Sequence, residues 1–169
     1  MSLLASDELM VRSSQRSERL RLLSHSTEPA LKAVVLTCAD HRVDPAHVLG
    51  LEPNDAVVLR NPGGRVTGDV VRSLLVLSAV AAVEQLSGGV EIIVMHHTDC
   101  GMSRLGGPEH RGLLADYLGT TADGLAEVPV IDPALSLRHD VAALRALVGT
   151  TPVIGLLFDV GSGTVHRLE

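Results

Sequence analysis

Four short apolar runs, "AVVLT" (33–37), "AVVLR" (56–60), "EIIVMH" (91–96) and "PVIGLLFDV" (152–160), are separated by longer segments of helical period. Val- and Ile-rich strands without polar alternation suit a sheet buried on both faces, and the spacers are long enough for crossover helices. The pattern therefore predicts an α/β fold, a mainly parallel central sheet flanked by helices. "LLFDVGSGTVHRLE" reads as strand, Gly-Ser-Gly turn and strand, adding an antiparallel C-terminal edge strand. The clearest helix is "VTGDVVRSLLVLSAVAAVEQL" (66–86), stopped by "SGG" at 87–89, and "LRHDVAALRALV" is another. Residues 1–30 are polar, with scattered Leu9, Leu20 and Leu23, and Pro29 ends them. They are expected to form an N-terminal helical arm ahead of one α/β domain at 31–169.

Composition narrows the function. A chain of 169 residues can bury a core of its own. A formal charge of -6 without a dense Lys/Arg cluster argues against a nucleic-acid partner and leaves a small molecule as the expected substrate. The longest apolar stretch, "SLLVLSAVAAVEQL", is too short to span a bilayer and carries Glu84, so it reads as a buried helix and no membrane segment is expected. The first residues lack the continuous apolar core of a secretory leader, which places the chain in the cytoplasm. In that reducing compartment the only cysteines, Cys38 and Cys100, are ligands, catalytic thiols or packed core rather than a disulfide.

Each cysteine follows an apolar run, Cys38 in "TCADHR" (37–42) and Cys100 in "HHTDCG" (96–101). Ligands of open α/β sheets collect beyond the carboxyl ends of strands, where strand order reverses. If the two strands are neighbours, Cys38, His97 and Cys100 converge there. Two thiolates and one imidazole favour zinc, and three protein ligands leave the fourth position open, as in catalytic sites. The His-x-x-Cys spacing alone is weak, because a histidine at a strand end is more often at the surface or in hydrogen-bonded core. Asp40 and Arg42 face the same way as Cys38 if the backbone stays extended, the ordinary alternative being a surface ion pair.

Together, Cys-x-Asp-x-Arg and His-x-x-Cys resemble the motifs of the beta class of carbonic anhydrases. "RNPGGRVTGDVVRSL" (60–74) and "GLLFDVGSGTV" resemble further segments of that family, so the similarity runs from about residue 33 to 166. The resemblance implies zinc held by Cys38, His97 and Cys100, with Asp40 and Arg42 as a catalytic dyad. It implies reversible hydration of carbon dioxide to bicarbonate and a proton through a zinc-bound hydroxide, a chemistry for which carbonic anhydrase is itself the standard example. It also implies a second state in which Asp40 is a fourth zinc ligand, substrate contacts at Asn61, Gly63 and Gly101, and a homodimer or homotetramer. His96 falls outside the ligand spacing and reads as core or as support for the ligands; Asp99 reads as a residue that solvates its loop. His41, Pro62 and Arg65 depart from the common family pattern, with His41 expected to be exposed and Arg65 solvated or holding an anion. Tyr117 and Phe158 are the only aromatics, so Leu, Val and Met must form the pocket wall. Two rival functions share the site: a carbonyl sulfide or carbon disulfide hydrolase, and a non-catalytic zinc-binding module that senses bicarbonate. A thiol redox protein is disfavoured by the absence of a close Cys-x-x-Cys pair.

Overall fold

A computed structural model describes residues 4–23, 26–86 and 88–168. Its centre is a five-stranded sheet of order β2-β1-β3-β4-β5, built from β1 (Ala33–Cys38), β2 (Ala56–Asn61), β3 (Glu91–His97), β4 (Val153–Asp159) and β5 (Thr164–Leu168). The first four strands run parallel, and β5 closes back on β4 antiparallel with Phe158 opposite Val165. The fold class read from the sequence is thus the one observed. β1 lies between β2 and β3, with Ala33 level with both Ala56 and Glu91, and it is buried along its whole length. Chain order reverses direction at β1, so the crevice between the carboxyl ends of β1 and β3 is where a ligand is expected.

The sheet is covered by α3 (Gly68–Val83) and α5 (Pro133–Val148), which join Leu36, Ile92, Val94 and Val153 in one core through Val70, Leu137, Val141 and Leu144. Leu137, Val141 and Leu144 recur at the spacing of one helical face, and each contributes roughly 1.5–3 kcal/mol when fully buried. Close seating of α5 needs a glycine beneath it, since a Cβ on Gly155 would lie 3.2 Å from Val141 and 3.3 Å from Leu137. Asp132 starts α5 by accepting the backbone N–H groups of Ala134 and Leu135 at 2.8 and 3.0 Å, and Pro133 takes the first helical position, where no N–H is needed. Two shorter helices, α2 (Pro45–Val48) and α4 (Arg111–Leu118), lie in the connections. The N-terminal α1 (Ala5–Arg21) buries none of its residues.

Three expectations need correction. The helix expected over 66–86 ends at Val83, not at the Ser-Gly-Gly stretch, of which Ser87 lies outside the described residues. Gln85 takes the left-handed conformation (φ 52°), which lets the N–H groups of Gln85 and Leu86 close on Ala82 O and Ala81 O. Nor is α3 buried all round: Leu75, Val76 and Val83 are 66%, 63% and 79% exposed. Periodicity marks an apolar helix without saying what covers it. Finally, β2 is an edge strand of alternating exposure rather than one buried on both faces, and among the described residues no strand pairs with its outer side.

Candidate metal centre

Register alone brings the two cysteine motifs together. Cys38 is the last residue of β1, His97 the last of β3, and Cys100 follows on the turn. Asp99 occupies the left-handed region (φ 53°), turning the chain back so that Cys100 rejoins His97. Thr98 holds that turn to β4, its N–H donating to Phe158 O and its hydroxyl accepting from Val160 N–H, each at 3.0 Å. One ligand atom from each of Cys38, His97 and Cys100 lies within 4.8 Å of the others.

Donor chemistry and geometry both fit zinc. The two sulfurs stand 3.9 Å apart, and both cysteines are free. Two thiolates on one tetrahedral zinc would be about 3.8 Å apart, given bonds of about 2.3 Å. His97 Nδ1–H donates to Thr98 O at 2.9 Å, which leaves the lone pair on Nε2. That Nε2 is buried and has no hydrogen-bond partner among the described residues, as suits an atom reserved for a cation. The two thiols differ sharply in acidity. The Cys38 thiol is lowered to about 4, chiefly by its hydrogen bond with Cys100, then by His97 and the backbone N–H groups of Asp40 and Gly63, against the opposing effect of burial. Cys100 is pushed up, first by that same bond to Cys38 and then by burial. Burial lowers His97, but the Cys38 thiolate outweighs it and the net shift is upward. A divalent cation bound by these atoms would displace the protons they hold.

Asp40 and Arg42 meet by a different route from the one expected. The chain does not stay extended beyond Cys38 but turns into a short 3-10 segment (His41–Val43) capped by Asp40, whose carboxylate accepts Arg42 N–H at 2.9 Å. The Arg42 guanidinium then donates to both carboxylate oxygens, at 3.1 Å from Nε and 2.7 Å from a terminal nitrogen. That contact holds the Asp40 carboxyl well below the usual range, so it remains an anionic acceptor. Asp40 is turned toward Arg42 here and is not among the three clustered ligands. Its backbone N–H lies 3.4 Å from Cys38 Sγ, which puts the dyad beside the centre.

Several neighbours carry more than the sequence showed. Asp99 does not merely solvate its loop: its carboxylate accepts from Arg42 and from Arg104, each at 2.8 Å, so Arg42 is gripped by two acids. Arg65 is not solvated: it is 2% exposed, and the anion it meets is the Asp140 carboxylate, at 2.7 Å. Asp140, in the middle of α5, escaped notice because nothing in its local sequence marks it as buried. Arg60 stitches the loop after β1 by donating to Cys38 O and Asp40 O at 3.0 and 2.7 Å. His96 is buried against Gly64 O at 3.1 Å, and the His41 side chain is 95% exposed.

A cavity of about 250 Å³ opens over the centre, lined by Gly63, His97, Cys100, Met102, Val130 and Ile131 among others. A larger cleft of about 410 Å³ shares Val130 and Ile131 but touches none of Cys38, His97 and Cys100, so the smaller one is the candidate site. Of the expected substrate contacts, Gly63 lines the smaller cavity, whereas Asn61 braces the Arg65 backbone through two bonds of 2.8 Å. Gly101 is exposed at the start of a 3-10 turn (Gly101–Leu105).

A parallel sheet that presents two thiols and an imidazole at its switch point defines a metal-site α/β enzyme. Comparison with known proteins narrows the class. The family model for carbonic anhydrase matches residues 33–134. Beta-carbonic anhydrase 1 of Mycobacterium tuberculosis is 32% identical over 143 residues, 83% of either chain. The crystal structure of carbonic anhydrase from Streptococcus mutans superposes with a TM-score of 0.72 at 32% identity, covering 99% of this chain and 100% of that one. Carbon disulfide hydrolase of Saccharolobus solfataricus is 45% identical over 104 residues, 62% of this chain and 47% of that protein. The chain belongs to the beta-carbonic anhydrase family.

Proposed function

We propose that the protein is a zinc-dependent carbonic anhydrase that converts carbon dioxide and water reversibly to bicarbonate and a proton. The observation that carries this reading is the convergence of Cys38, His97 and Cys100 within 4.8 Å beside an intact Asp40–Arg42 pair. Those three residues would hold zinc, which lowers the pKa of a bound water and so supplies a nucleophile near neutral pH. Asp40, kept ionised by Arg42, accepts a hydrogen bond from the attacking oxygen and orients it. Met102, Val130 and Ile131 give a neutral, linear substrate an apolar wall in place of aromatics. Asn61 supports this cavity from outside through its grip on the Arg65 backbone, and Gly101 carries the chain from Cys100 toward Met102.

A second reading, carbon disulfide or carbonyl sulfide hydrolysis on the same centre, is favoured by the local identity to carbon disulfide hydrolase and by that apolar wall. Stopped-flow hydration of carbon dioxide, run beside hydrolysis of both sulfur compounds on one zinc-loaded sample, separates them. The expected outcome is one zinc per chain and fast hydration. Slow hydration with rapid sulfide release would shift the assignment to the hydrolase, and full zinc occupancy in both Cys38→Ser and Cys100→Ser would remove the centre itself.

We further propose that the protein works in the cytoplasm as a homodimer or homotetramer. Free thiols suit a reducing compartment, and no helix among the described residues is long and apolar enough to cross a membrane. Val76, Val80 and Val83 form an exposed stripe at helical spacing on α3, a surface a second copy would cover. The arm at residues 1–30, whose α1 buries nothing, would pack there or on another face of that copy.

A further inference from the structure

Behind the metal centre lies a buried charge network that the catalytic reading does not use. Asp140 on α5 accepts Arg65 Nε at 2.7 Å and stands 3.3 Å from His96 Nε2, and all three residues are 2–3% exposed. A second Arg65 nitrogen donates to Pro129 O at 2.9 Å, which also accepts from Ser136 Oγ at 2.9 Å. His96 Nε2 is 3.1 Å from Gly64 O, and since that oxygen and the Asp140 carboxylate are both acceptors, this nitrogen carries the hydrogen. Asn61 brackets the Arg65 backbone, with two bonds of 2.8 Å. The segment 61–65 is thus stapled at both ends. Gly64 within it packs directly on β1, where a Cβ would sit 2.9 Å from Thr37 C and 3.0 Å from Cys38 N. At the middle of the stapled segment Gly63 N–H points at Cys38 Sγ, 3.2 Å away.

We propose that Arg65, Asp140 and His96 are positioning residues whose buried clamp sets the Gly63 N–H bond to Cys38 and thereby tunes that thiolate as a metal ligand. The proposal rests on the zinc reading above. An N–H donated to a thiolate draws electron density from sulfur and fixes where the sulfur stands, so a loosened segment changes both the strength and the electronic character of the metal–sulfur bond. Asp140 is in this way part of the centre, although it sits on a helix that contributes no ligand.

The test uses the metal-loaded protein and the double variant Arg65→Met/Asp140→Leu. Removing both charges avoids leaving either one buried alone. His96 keeps Gly64 O, and Pro129 O keeps Ser136 Oγ, so no polar group is orphaned. Circular dichroism checks the fold. Zinc affinity by chelator competition is expected to weaken about 10–100-fold. The thiolate-to-cobalt charge-transfer band of the cobalt(II) form is expected at longer wavelength, a change that packing alone would not produce. Arg65→Lys, which keeps the charge but lacks the fork that reaches Asp140 and Pro129 together, should move both readouts in the same direction by less; it carries the test should the double variant not fold. Parental affinity and an unmoved band in the folded variants would overturn the clamp while leaving the zinc reading intact. Failure of the unaltered chain to take up either metal would overturn both.

Discussion

Arg42 is held from two sides, by Asp40 within its own turn and by Asp99 across the cleft. Its guanidinium is thus fixed before any substrate arrives, and Asp40 inherits that fixed orientation. Replacing it should cost activity without emptying the metal centre, because its bonds run to Asp40 and to Asp99 and not to the side chains of Cys38, His97 or Cys100. For Arg42→Ala we expect kcat/KM for carbon dioxide to fall about 10²–10³-fold, the scale seen when one preorganised polar partner is lost. Asp99→Ala should cost less, on the order of tenfold or about 1.4 kcal/mol, since Asp40 keeps its own bonds to Arg42. Stopped-flow rates and zinc content on the same preparations check both. Loss of metal in step with activity would mean that these residues shape the site instead of assisting the reaction.

At the scale of elements, α3 shows a mismatch between residue and conformation. Gln85 adopts a left-handed backbone to close the helix, where glycine carries no steric penalty. Gln85→Gly is expected to stabilise the fold by about 0.5–1 kcal/mol, read as a higher urea midpoint at unchanged slope; an unchanged or lower midpoint would show that the Gln85 side chain compensates. The strands were legible because Val- and Ile-rich runs of five to nine residues have few other uses. The convergence of Cys38, His97 and Cys100 was legible because strand ends at a switch point concentrate chemistry. The clamp was not. Arg65 and Asp140 are 75 positions apart, and each sits in a segment whose local pattern suits solvent as well as core. The abrupt turn after Cys38 was hidden for a similar reason, since it depends on an Asp40 cap that competes with extension only once β1 has ended.

For the whole molecule, the uncovered side of α3 bears directly on assembly. A contiguous apolar stripe left in water favours self-association. We expect sedimentation at micromolar concentration to show a dimer or tetramer, and Val80→Asp to shift it toward monomer, because a carboxylate in such an interface would lose its hydration without a partner. A parent chain that already sediments as a monomer while fully active would remove this reading. Periodicity marked α3 as apolar but could not say whether the cover is its own chain or another copy.

Cys38 and Cys100 lie 62 positions apart and meet only through the parallel pairing of β1 with β3. A chain still being made has both thiols before it has the scaffold that aligns them, and a contact between such distant residues forms late because the loop must close first. The metal can therefore be bound tightly only after the sheet has formed. Ion uptake then acts as a final lock on a finished molecule, and a nascent or misfolded copy competes poorly for a scarce cation.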